Sequence, residues 1–93
     1  MKTFLFLFHS GAFVQVGDVQ IDFTRGSVDF SVLPSPSSSR AIRVAAWQHE
    51  DVLLIRVYGR RGPLVMALTI GQSWHVEMKV DEEGFPVALV PTT

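Results

Sequence analysis

Hydrophobic and polar residues alternate with a period of two from Thr3 almost to the end of the chain, broken every few residues by glycine, proline or a short polar run. Side chains at i, i+2 and i+4 share one face of a strand, so the pattern reads as strand after strand. The predicted strands cover 3–9, 12–16, 19–24, 27–33, 41–47, 52–58, 64–70, 74–80 and 85–90. Gly17-Asp18 places glycine at the first central position of a two-residue type II′ hairpin turn. Val19, Ile21 and Phe23 oppose Gln20, Asp22 and Thr24, and Val28, Phe30 and Val32 oppose Ser27, Asp29 and Ser31. Strands of this kind carry one wet face.

Pro34-Ser35-Pro36-Ser37-Ser38-Ser39 cannot continue a ladder. It predicts a flexible loop over 34–40 between an N-terminal four-strand half and a C-terminal β-meander. No segment carries a helical period and no internal repeat is visible. The fold class is therefore all-β, one domain over 1–93, a small antiparallel β-barrel or two-sheet β-sandwich built mainly of hairpins.

If the turns of the second half close simple hairpins, the register follows. Trp47 then faces Val52, Ala45 faces Leu54 and Arg43 faces Arg56; Tyr58 faces Leu64, Arg56 faces Met66 and Leu54 faces Leu68. Ile70 faces Trp74, Leu68 faces Val76, Met66 faces Met78 and Leu64 faces Val80. This face is the expected core. The opposite face holds Ile42, Val44, Ala46, Leu53, Ile55 and Val57, then Val65, Ala67 and Thr69, then His75, Glu77 and Lys79. The fifth and sixth strands are thus apolar on both sides, as is the first, where Phe4, Phe6 and Phe8 alternate with Leu5 and Leu7. A half-exposed sheet does not show this pattern. The second side calls for a cover: another part of the same chain, a second copy, or an unrelated partner or ligand.

Composition narrows the choices. The apolar share is 47%, enough for a packed core, and the net charge of −1 gives no overall pull toward nucleic acid or anionic lipid. Charge is uneven: five arginines (Arg40, Arg43, Arg56, Arg60, Arg61) stand against Glu50 and Asp51, and Glu77, Asp81, Glu82 and Glu83 stand against Lys79. These segments could meet in self-assembly or steer a charged partner. The absence of cysteine excludes disulfides, Cys-ligated zinc and thiol catalysis. No apolar stretch approaches the roughly 18 residues of a membrane span. The run from Phe4 to Phe8 is cut by His9, so a first strand is expected in place of a signal peptide, with a cytoplasmic location.

Catalytic patterns are weak. His9, His49 and His75 lack metal-ligand spacing, although His75 and Glu77 share a strand face. Glu50-Asp51 and Asp81-Glu82-Glu83 fall in predicted turns, where water gives no means of driving two carboxyl pKa values apart. Asp18, Gln20 and Asp22 lack the glycine and terminal Glu of a calcium loop. Gly59-Arg60-Arg61-Gly62-Pro63 matches no phosphate fingerprint. No enzyme activity, cofactor or metal is expected.

The expected function is a non-catalytic protein-interaction module: a self-associating adaptor, inhibitor or assembly component. Its interface would be Phe4, Phe6, Phe8, Ile42, Val44, Ile55 and Val57, with arginines as charged contacts. The expected partner is a second copy, a dimer foremost, or another protein. An anion or single-stranded nucleic acid ranks behind, held by Arg43, Arg56, Arg60, Arg61, Trp47 and Tyr58 through stacking and phosphate contact. The third reading is an apolar-ligand carrier lined by Trp47, Leu54, Met66, Leu68, Trp74 and Met78.

Overall fold

Strands form where the period-two pattern places them. The computed structural model describes residues 2–9, 12–23, 26–33 and 40–93, with the backbone alone at 2–4. In chain order the strands are β1 (Lys2–His9), β2 (Phe13–Val16), β3 (Val19–Asp22), β4 (Ser27–Val32), β5 (Ile42–His49), β6 (Val52–Gly59), β7 (Gly62–Thr69), β8 (Ser73–Val80) and β9 (Pro86–Thr92). Residues 34–39 of the predicted 34–40 loop, and Thr24 and Arg25 after the third strand, lie outside the described residues. Gly17 adopts φ 59° at the head of the β2–β3 turn while Asp18 stays at negative φ, the type II′ geometry expected there.

The strands build two antiparallel sheets, one ordered β3-β2-β1-β8-β9 and the other β4-β5-β6-β7. Their inner faces share one core, so the architecture is a sandwich. Phe6, Phe8, Val14, Val76, Met78 and Val80 come from the five-stranded sheet; Val44, Ala46, Leu53, Ile55, Val57 and Leu68 answer from the other. The Phe6 ring meets the Phe30 ring edge-on at 5.7 Å, joining β1 to β4 across the layers.

Three features correct the expected register. First, β8 does not return beside β7. It pairs with β1 from Lys2↔Val80 to His9↔Ser73, and β9 lies on its other side. The Ile70–Trp74, Leu68–Val76, Met66–Met78 and Leu64–Val80 pairs are therefore not formed. Gly71 at φ 104° takes the chain out of one sheet and into the other.

Second, the β6–β7 turn holds only Arg60-Arg61, because Gly59 pairs with Gly62. The expected turn was longer, and the difference moves the register by one residue. Leu64, Met66 and Leu68 thus face with Val57, Ile55 and Leu53. Third, β5–β6 closes through Glu50-Asp51 with Glu50 at φ 56°, a shift of two residues that keeps the faces but changes the partners. Arg56 lies opposite Ala45, and Arg43 lies opposite Ser31. The expected opposition of two arginines does not occur.

Together these changes turn the four-stranded sheet over. The face with Ile42, Val44, Ala46, Leu53, Ile55 and Val57 is inside, and the face with Arg43, Trp47, Leu54, Arg56 and Tyr58 is outside. Solvation explains the choice: the inner set has no polar side-chain atom, whereas the other would bury two guanidinium groups. The cover expected for the second apolar side is the chain's own other sheet.

Candidate interaction face

The outer face of the four-stranded sheet collects side chains that the sandwich does not need for its core. Along β5 it presents Arg43, Ala45 and Trp47; along β6, Leu54, Arg56 and Tyr58; along β7, Val65 and Ala67; and on β4, Asp29. Cross-strand pairs order the patch: Trp47 beside Leu54, Leu54 beside Ala67, and Arg56 between Ala45 and Val65. Trp47, Leu54 and Arg56 are half-buried, while Tyr58 and Val65 are 57% and 58% exposed.

Arg56 is the centre. Its Cζ lies 5.4 Å from the Trp47 ring centre and 5.3 Å from that of Tyr58, so the cation touches two aromatic faces. Tyr58 is two residues along the same strand and Trp47 sits diagonally across on β5, which places all three on one side of the pleat. The Arg56 Nε is shielded from water and has no hydrogen-bond partner.

Arg43 is committed elsewhere. Its Nε donates to Asp29 Oδ1 at 2.8 Å and its second terminal nitrogen donates to Oδ2 at 2.9 Å. That bidentate hydrogen bonding holds the Asp29 carboxyl below the usual carboxylate range; partial desolvation opposes it, and the charges of Arg43 and Arg56 add to it. The same hydrogen bonds raise Arg43 above the ordinary guanidinium value.

Arg60 and Arg61 lie at the end of this sheet, in the β6–β7 turn. Arg60 forms an ion pair with Glu83, comes within 3.9 Å of Asp81 and stacks its Cζ 4.6 Å above the Phe85 ring. The basic and acidic segments noted in the sequence therefore meet here within one chain. Beside them a cleft of about 410 Å3 is lined by residues 59–64, Asp81, Pro86 and Val87.

The predicted site residues divide sharply. Phe6, Phe8, Val44, Ile55 and Val57 have no exposure and Ile42 has 4%, so these proposed interface residues are core and cannot contact a partner in the folded chain. The side chain of Phe4 lies outside the described residues. Arg43, Arg56, Trp47 and Tyr58 do share one surface, as the anion reading required, with Arg60 and Arg61 apart from them. The carrier set does not line one interior: Trp47 and Leu54 face outward, while Met66, Leu68, Trp74 and Met78 pack toward the core. Sequence reading missed Val65 and Ala67 as part of the aromatic face. Their alternation with Leu64, Met66 and Leu68 was visible, but their side of the sandwich was not.

Among the described residues no three His, Asp or Glu side chains cluster as metal ligands. His75 and Glu77 stand exposed on β8. Comparison with protein-family models, curated proteins and solved structures returns no significant match.

Proposed function

We propose that this chain is a non-catalytic protein-interaction module whose binding face is the outer surface of the four-stranded sheet. The observation that carries the reading is Arg56 stacked against Trp47 and Tyr58 within an apolar surround of half-buried Leu54 and exposed Val65 and Ala67. Trp, Tyr and Arg are the residue types in which interface energy concentrates. Trp47 and Arg56 are half-buried and stacked on each other, and ordering side chains before docking lowers its entropy cost. The partner would be another protein with an apolar patch and acceptor atoms for the guanidinium.

Nucleic acid ranks second. A base could stack on the same rings, but affinity for nucleic acid rests on arginines free to neutralise phosphates. Arg43 and Arg60 already hold carboxylates.

A photo-crosslinking residue at Tyr58, with a control at Glu77 on the outer face of the other sheet, tests the reading. Crosslinks to protein from position 58 alone are expected. Equal capture from both positions, or none from 58, would overturn it.

A further inference from the structure

We propose that two copies of this chain pair edge to edge through β7, joining two four-stranded sheets into one continuous sheet of eight. The inference goes beyond the outer face, because its evidence is the outer edge of β7, with which no described strand pairs.

Sandwiches leave four edges, and natural proteins blunt them. Here β3 is four residues long. β9 carries Pro86 and Pro91 and a register break against β8. β4 alternates serine with Asp29, whose carboxylate is held by Arg43. β7 differs: it runs eight residues, Gly62-Pro63-Leu64-Val65-Met66-Ala67-Leu68-Thr69, with no charge and proline only near its start.

The phase of its ladder is known. The Ile70 N–H donates to the Asp51 carbonyl at 3.1 Å, so 51 and 70 form a hydrogen-bonded pair. Such pairs alternate in an antiparallel ladder, which makes 53/68, 55/66, 57/64 and 59/62 the others. The backbone groups of Pro63, Val65, Ala67 and Thr69 consequently point away from β6. Pro63 has no N–H to offer. The Thr69 carbonyl already accepts the Trp74 indole N–H at 2.9 Å.

From one end to the other the edge therefore presents an acceptor at Pro63, a donor and acceptor at Val65, the same at Ala67, and a donor at Thr69. That pattern is its own complement when reversed. In an antiparallel pair centred on Met66, Val65 meets Ala67 of the second copy, and Pro63 meets Thr69. The position lacking a donor thus faces the position whose acceptor is taken. The result is a ladder of about six hydrogen bonds about a two-fold axis. Side chains agree: Leu64 meets Leu68 and Met66 meets Met66, with no charge opposed to its like. At each end Arg61 of one copy comes beside the Glu50-Asp51 turn of the other, and among the described residues these three have no ion pair within the chain.

The test is sedimentation equilibrium on the full chain across a dilution series, with Ala67→Pro and Tyr58→Ala beside the wild type. The Ala67 N–H takes no part in the β6–β7 ladder, so proline there spares the fold, which circular dichroism checks. A wild-type dimer weakened about thirtyfold by Ala67→Pro and unchanged by Tyr58→Ala is the expected result, since a symmetric dimer loses two hydrogen bonds. Amide exchange on the wild type is the independent readout: the Val65 and Ala67 amides should slow as concentration rises. A monomer at every concentration, with fast exchange there, would overturn the pairing and leave the outer-face reading standing. A dimer lost in Tyr58→Ala but kept in Ala67→Pro would also overturn it, placing self-association on the outer face instead.

Discussion

Ile55→Ala against Leu54→Ala separates the two possible insides of this molecule. Ile55 has no exposure and lies at the middle of β6, between Ala46 on β5 and Met66 on β7. Alanine removes three carbons, about 2.4 kcal/mol at roughly 0.8 kcal/mol each. The unfilled space left between two packed sheets raises the loss to about 3–4 kcal/mol. A chain of 93 residues is stable by about 5–14 kcal/mol, so the variant should fold with much of its stability gone. Its melting temperature should drop by about 12–30 °C.

Leu54, one residue earlier, points outward and is half-buried. Its replacement should cost about 1 kcal/mol, because the side chain is already partly in water and no closed cavity forms. Urea unfolding followed by tryptophan fluorescence reads both variants, with an unchanged denaturant slope as the check that the comparison is fair. Leu54→Ala proving the more damaging of the two would refute the register of β5, β6 and β7, and the aromatic outer face with it.

Gly59→Ala should destabilise by about 1–3 kcal/mol in thermal melts, because a Cβ there would stand 2.7 Å from the Pro86 carbonyl oxygen and force β9 away from the β6–β7 turn. Asp29 should titrate below the ordinary carboxylate range by NMR and return toward it in Arg43→Gln. A carboxyl whose folded pKa is depressed contributes stability above its unfolded pKa and loses it as pH falls through the folded one, so the contribution of this pair fades in acid; an unshifted Asp29 in the wild type would remove the argument. Trp47 fluorescence should stay flat on adding single-stranded oligonucleotides at low salt, and quenching that vanishes as salt rises would promote the nucleic-acid reading.

Much of the architecture was legible because it depends on neighbours in sequence. Alternation places side chains on two faces within any few residues, and glycine, proline and serine end a ladder wherever they cluster. The all-β class, the strands from β1 to β9 and the Gly17-Asp18 turn all follow from such local chemistry. The gathering of Arg43, Arg56, Trp47 and Tyr58 was legible for the same reason, since odd positions on β5 and even positions on β6 share a side in either register.

What escaped was which side is the inside. On β5 and β6 both faces are apolar enough to be buried, and the choice waits on events distant in the chain. One is the pairing of β8 with β1, more than sixty residues away, which builds the second sheet. The other is the closing of β6–β7 at Arg60-Arg61, which turns Leu64, Met66 and Leu68 toward Ile55. A strand repeats every two residues, so a one-residue change in a turn exchanges core for surface. Periodicity can show that two faces exist; the cost of burying two guanidinium groups, felt only once the sheets meet, selects between them.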